Sequence, residues 1–186
     1  TGTFNDGEQL LSNIVFTRDP RLYESVIVNG LPGNLGWSSV SVGGDPYELW
    51  VGGSHAGSNS FNETMRYATG YENMKYYLGS SDYLRQNTQW VALRLSDLYL
   101  TYAEALLQAN NDHQGAVDQI DIVRARVGLP GLVQSNPGKR LLTDKDALIE
   151  ELLRERVCEL GMEDSRFFDL IRYKRADRFE KQLHGL

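Results

Sequence analysis

The stretch Arg94–Leu106, RLSDLYLTYAEAL, decides the fold. Polar residues fall at Arg94, Asp97, Thr101, Glu104 and Gln108, in steps of three and four that draw one narrow stripe along a helix. Leu95, Leu98, Tyr99, Leu100, Tyr102, Ala103, Leu106 and Leu107 cover the rest of the cylinder. This pattern predicts a helix over Ala92–Ala109 that is buried on most sides. Asn110-Asn111-Asp112 then makes a polar turn, and Gln114–Val127 sets Ala116, Val117, Ile120, Val123 and Val127 on one face. Gly128 suits the residue just past a helix end, and Pro130 prevents continuation. Two helices joined by so short a turn must pack antiparallel. The hairpin has roughly the length of a tetratricopeptide (TPR) unit, about 34 residues. Such units need neighbours to cover their open faces, so further helices are expected to pack here.

Downstream, Thr143-x-x-Asp146 is close to a capping box, with Asp in place of the usual Glu or Gln. It introduces a helix predicted over Asp144–Leu160 with Leu148, Ile149, Leu152, Leu153, Val157 and Leu160 facing inward. Gly161 is a plausible stop, and Arg166–Lys174 reads as a short helix packing Phe167, Phe168, Leu170 and Ile171. Arg156 lies between Leu153 and Leu160 at helical spacing, which points it partly into the core. An unpaired buried charge costs roughly 3–5 kcal/mol, so Arg156 needs carboxylates, and Glu104 and Asp169 are natural partners. We therefore expect a structural ion-pair network of Glu104, Arg154, Glu155, Arg156, Glu159, Arg166 and Asp169. Glu155 and Glu159, one turn apart, could also be weighed as a glycosidase acid/base pair. That chemistry needs an open cleft and one raised pKa, whereas neighbouring arginines lower carboxyl pKa values and occupy the oxygens. No catalytic residue is assigned.

Residues 1–90 differ in kind. An apolar run at Leu10–Phe16 precedes a turn at Arg18-Asp19-Pro20 and the β-branched Ser25–Val28, consistent with a helix and then a short strand. Between residues 30 and 90, ten glycines rule out long helices, while Trp37, Tyr47, Trp50, Phe61, Tyr67, Tyr71, Tyr76, Tyr77 and Trp90 are too many aromatics for a disordered linker. An ordered, loop-rich excursion with short β pieces fits both facts. The ligand-binding candidates lie in it. Sugar rings stack their apolar C–H faces on flat aromatic surfaces and hydrogen-bond at the edges. Trp37, beside Asn34, and Trp50, near Tyr47, offer that mixture. The competing reading is that these rings simply fill a loop-rich core.

Composition narrows the function. A net charge of −6 argues against nucleic acid, whose binding draws on clustered Lys and Arg. His55, His113 and His184 are scattered, there is no cysteine pair and no Asp-rich calcium loop, so no metal or other cofactor is expected. Cys158 reads as a small packed side chain in a helical run. Phosphate-loop and Gly-x-Ser-x-Gly motifs do not occur. No stretch approaches the roughly 18 apolar residues of a spanning helix.

Taken in order, the Ala-Glu-Ala helix (Arg94–Leu106), VRARVGLP at Val123–Pro130 and RERVCELGMEDSRFFDLIRY at Arg154–Tyr173 resemble the later part of the SusD/RagB-like proteins. RDPRLYESVIVNG (Arg18–Gly30) and TGYENMKYY (Thr69–Tyr77) echo them more weakly. Met162 and Asp164 depart from the pattern, standing where an aromatic residue and a glycine are usual, and Val157 stands at a position often basic. The resemblance implies a mainly α protein of TPR-like helical hairpins with an inserted loop-rich region containing short β strands. It implies one domain over 1–186, loop-rich over 1–90 and helical over 91–186, as a fragment of a larger protein. By the same resemblance it would be a glycan-binding protein at the bacterial outer-membrane surface, held by a lipid anchor outside this chain. It would deliver oligosaccharide to a SusC-like TonB-dependent transporter without catalysis. The rival expectation is a TPR-like scaffold that binds a protein or peptide partner on the 92–127 hairpin.

Overall fold

The computed structural model describes residues 18–30, 47, 49, 71–73, 75, 76 and 91–180. The chain is mainly helical and forms two compact units, Thr1–Trp90 with Lys181–Leu186, and Val91–Glu180.

In the first unit, Asp19 is extended (φ −50°, ψ 129°), as the residue before a proline must be, and its carboxylate accepts from the Arg21 backbone N–H. Helix α1 (Pro20–Ser25) follows with proline at its first position, where no N–H is required. Strand β1 (Val26–Val28) takes over at the β-branched residues and pairs antiparallel with β2 (Tyr71–Asn73), matching Val26 with Asn73 and Val28 with Tyr71. The two weak sequence echoes thus lie side by side.

The second unit is built from five helices among the described residues: α2 (Leu95–Asn110), α3 (His113–Arg126), α4 (Leu132–Ser135), α5 (Lys145–Glu159) and α6 (Ser165–Arg172), ending in a 3₁₀ turn at Ala176–Arg178. Helix α2 stops where Asn111 adopts the left-handed conformation (φ 52°), and Asp112 caps α3 by accepting from the Gly115 N–H at 2.8 Å. A β-carbon at Gly115 would press into that capping carboxylate. At the other end of α3, Gly128 (φ 72°) donates to the Ala125 carbonyl and Leu129 to the Arg124 carbonyl, the paired bonds of a Schellman ending. The core lies between these helices. Leu100, Ala103 and Leu107 of α2 meet Ala116, Val117, Ile120 and Val123 of α3, with Leu132, Leu141, Leu148, Leu152 and Leu160 closing it.

Several expectations are corrected. Helix α2 begins at Leu95, not Ala92, because Arg94 is extended (φ −138°) and its side chain is drawn into a cluster of acids described below. It is not buried on most sides: Leu95, Leu98 and Tyr102 are exposed, while Ser96 and Glu104 are buried. Hydrophobicity marks both apolar faces alike, and only packing tells which one has a partner. Asp144 rather than Thr143 caps α5, accepting from the Ala147 N–H at 3.1 Å, so no reciprocal box forms. On α6 only Leu170 of the four predicted apolar residues is buried; Phe167, Phe168 and Ile171 are more than half exposed. Phe167 stacks edge-on with Phe168 and Phe179.

Candidate functional site

Of the proposed ligand platform, Trp37, Trp50 and Asn34 lie outside the described residues. Tyr47 is 3 % exposed, and its carbonyl accepts from the Gly30 N–H at 2.7 Å. Two residues on, the Leu49 N–H donates to the Asn29 side chain at 2.9 Å. These bonds tie the chain at 47–49 to the segment that continues from β1. With so little surface open, Tyr47 gives a sugar no face to stack on.

The charged block of the helical unit is described in full. Its organising feature is a ladder of acids on α5: Glu151, Glu155 and Glu159 recur every four residues, share one face, and are each less than a twentieth exposed. Cations from other segments, and Arg154 of α5 itself, meet them. Lys139 and Arg154 both bind Glu151. Arg124 of α3 binds Glu155 at 2.9 Å and spends its other donors on the Pro130 carbonyl at 2.9 Å and the Ser135 hydroxyl at 2.8 Å, which satisfies a guanidinium almost wholly out of water. Arg94 and Arg126 converge on Glu159, and Arg94 also grips both oxygens of Glu163 at 2.8 and 3.0 Å.

A second chain of charges closes a ring through three helices. Asp97 of α2 accepts from Arg156 of α5 at 3.1 Å, and Arg156 donates to Asp169 of α6 at 2.8 Å. Asp169 also takes Arg172 at 2.8 Å, and Arg172 returns to Glu104 of α2. Asp97 and Glu104 stand seven residues apart, two turns on one face of α2, which is what lets a single helix anchor both ends. The pairing differs in detail from the sequence expectation. Glu104 is bound by Arg172 rather than Arg156, and Asp97 takes its place. Asp97 and Arg172 carry no sequence signal for this role, since one sits in the polar stripe of α2 and the other at the end of α6. Only the three-dimensional arrangement brings them to Arg156 and Asp169.

The electrostatics follow from this geometry. Burial by itself would push the Glu151 carboxyl up, but Lys139 and Arg154 outweigh it and hold the group below its ordinary value. Burial pushes the Tyr173 phenol up to about 12, with the Gln108 amide opposing the shift and the nearby Glu104 carboxylate adding to it. Arg172 lies over the Tyr173 ring at 5.2 Å. Glu155 is engaged by Arg124 at 2.9 Å, and Glu159 by Arg126 at 3.0 Å and by Arg94 at 2.5 Å, which ties up carboxylate oxygens on both. Among the described residues no cluster of His, Cys, Asp and Glu could hold a metal, and no helix is long and apolar enough to cross a membrane.

Comparison with known proteins gives a consistent picture. The model of the SusD family matches residues 2–185. A crystal structure of a SusD-like protein from Bacteroides fragilis NCTC 9343 superposes with a TM-score of 0.62 at 26 % identity, covering 87 % of this chain and 29 % of that one. The chain therefore spans less than a third of that protein's length. No curated protein gave a significant match. The match from end to end, together with the shared fold, places the chain in a family: it belongs to the SusD family.

Proposed function

We propose that this chain is the part of a SusD-like surface protein that captures an oligosaccharide and offers it to a SusC-like TonB-dependent transporter, without breaking a bond. The family match over residues 2–185 is the observation that carries this reading. Two features of the fold support it. Strands β1 and β2 flank in sequence the stretch that holds Trp37 and Trp50, which suits a segment that must present rings on a steady base. The carboxylates that could have been an acid/base pair are engaged by arginines, which suits a scaffold better than a hydrolase. In this proposal Trp37 and Trp50 stack on sugar rings and Asn34 hydrogen-bonds at an edge. The protein would sit at the outer-membrane surface, attached by a lipid anchor.

Isothermal calorimetry against a panel of neutral oligosaccharides tests the idea. The expected result is binding in the micromolar to millimolar range, roughly −8 to −4 kcal/mol, with no new reducing ends after incubation. Trp37→Ala and Trp50→Ala should each weaken it, and unchanged affinity in both would remove the platform. A second reading, a TPR-like helical scaffold for a protein or peptide, draws on the exposed Leu95, Leu98 and Tyr102 of α2. It requires peptide binding that Leu98→Asp and Tyr102→Asp abolish and the tryptophan variants leave intact.

A further inference from the structure

The helical unit contains a cavity of about 300 Å³, lined by α5, α6, the 3₁₀ turn and Lys139. Its distinguishing property is charge. Lys139, Arg154, Arg166, Arg175 and Arg178 line it, against two carboxylates, Glu150 and Glu151. In a chain whose net charge is −6, five cations gathered on one cavity are a local feature and not a sample of the surface. The carboxylates are committed to ion pairs. Glu151 takes Lys139 and Arg154, while Glu150 and Asp177, the latter not part of the lining, share Arg175 and Arg178. Even with Asp177 counted, positive charge exceeds negative by two. Arg166 takes no part in those pairs. It donates to the Leu153 carbonyl at 3.2 Å and has no carboxylate partner among the described residues. A guanidinium carries its N–H donors in a planar fork, so one such bond leaves Arg166 able to grip an anion through two more.

We propose that this cavity is a phosphate site, which takes the free ion or the terminal phosphate of a small monoester, with Arg166 holding two of its oxygens. The surplus of two positive charges selects the ligand. A phosphate monoester carries about −1.5 to −2 at pH 7, whereas a carboxylate offers a single charge. The guanidinium fork matches phosphate geometry, and a cavity lined by one sign of charge concentrates the opposite sign. Lys139 and Arg154 are each about half exposed, and both carry more donors than Glu151 takes up, so either can turn one toward the same ion. The volume lies at the low end of small-molecule sites, which suits a compact anion. The site does not depend on oligosaccharide capture.

The test is an NMR or calorimetric titration of the 186-residue chain with inorganic phosphate, glycerol 3-phosphate and acetate at equal ionic strength. The expected result is phosphate binding near about 1 mM or tighter, acetate binding weaker by about tenfold or more, and loss of affinity as salt rises. Glycerol 3-phosphate presents the group as a lipid headgroup or metabolite would: binding as tight as phosphate marks the terminal group as what is recognised, and its exclusion marks the free ion. The unaltered chain supplies a second measurement. A monoester gains its second charge near about pH 6, and no histidine is among the described lining residues, so phosphate affinity should rise between about pH 5.5 and about pH 7.5 while that of acetate stays flat. Arg166→Gln should weaken phosphate roughly tenfold, and Arg166→Lys should restore part of it. Arg140→Gln, at an exposed arginine outside the lining, should leave binding unchanged. The proposal is overturned by no phosphate binding, by equal binding of acetate, by a phosphate affinity that does not change with pH, by a folded Arg166→Gln variant of undiminished affinity, or by an equal loss in Arg140→Gln.

Discussion

Asp169 is the residue on which the ring of charges turns. It is 2 % exposed and receives both Arg156 and Arg172, so removing its charge strands the Arg156 guanidinium in the core with only the more exposed Asp97 opposite it. Asp169→Ala should destabilise the protein by about 3–5 kcal/mol, read from the shift of the urea midpoint, because one partner of a buried pair is lost and the other remains. Replacing the pair together, as Arg156→Met with Asp169→Leu, should recover much of that loss, and a double variant as unstable as the single one would contradict the argument. Glu151 makes a pH prediction. Its folded pKa is depressed, so its contribution is present above the ordinary carboxyl value of 4.5 and is lost as pH falls through the lower folded value. Denaturation followed between about pH 6 and about pH 3 should therefore show a smaller acid-dependent loss in Glu151→Gln than in the parent. Equal slopes would mean that Lys139 and Arg154 contribute nothing through this group.

At the scale of the element, helix ends carry the information. The α2–α3 connection works through a left-handed Asn111 followed at once by the Asp112 cap, and Asp112→Ala should lower stability by about 1 kcal/mol. The entry to α6 turns on the backbone of Asp164. Asp164 has φ 60° and its side chain makes no capping bond, so it bears the strain of the left-handed conformation without return. Asp164→Gly should raise the thermal midpoint, with a gain of up to about 1 kcal/mol, and a loss would show that the carboxylate does something the geometry does not reveal. The boundaries of α3, α5 and α6 were legible within a residue or two because polar turns and glycine stops bound the apolar spacing there, even though the cap of α5 and the buried face of α6 were not. The start of α2 was not. Its first residue is decided by where the Arg94 guanidinium goes, and its targets Glu159 and Glu163 are remote in sequence.

For the whole molecule, the helical unit joins an apolar core to two systems of charge. One is the acid ladder of α5, taken up by cations from the loop before it and from the helical hairpin. The other is the ring through α2, α5 and α6. Together they fix three helices at points where apolar contact is sparse, since α6 buries Leu170 but leaves Phe167, Phe168 and Ile171 in solvent. Ion pairing of this kind sets register more than it adds stability, because each buried pair must first offset the desolvation of both charges. If register is its role, the double variant of Arg156 and Asp169 should keep its helicity by circular dichroism while its near-ultraviolet signal and amide protection around α6 weaken. An unchanged α6 would show that apolar contacts alone hold it.

The sequence by itself determined the helical hairpin, its turn, the helix bearing the acid ladder, and the membership that three ordered motifs announced. The helices and the turn follow from local rules, namely periodicity and glycine or proline at the stops, whereas the membership rests on the resemblance of the motifs and the family match. Tertiary structure alone decided which carboxylate meets which arginine, which apolar face of α2 is covered, and that the two weak motifs near residues 26 and 72 are paired strands. Those outcomes depend on residues far apart along the chain arriving within about 3 Å of one another, a distance no spacing in the sequence encodes.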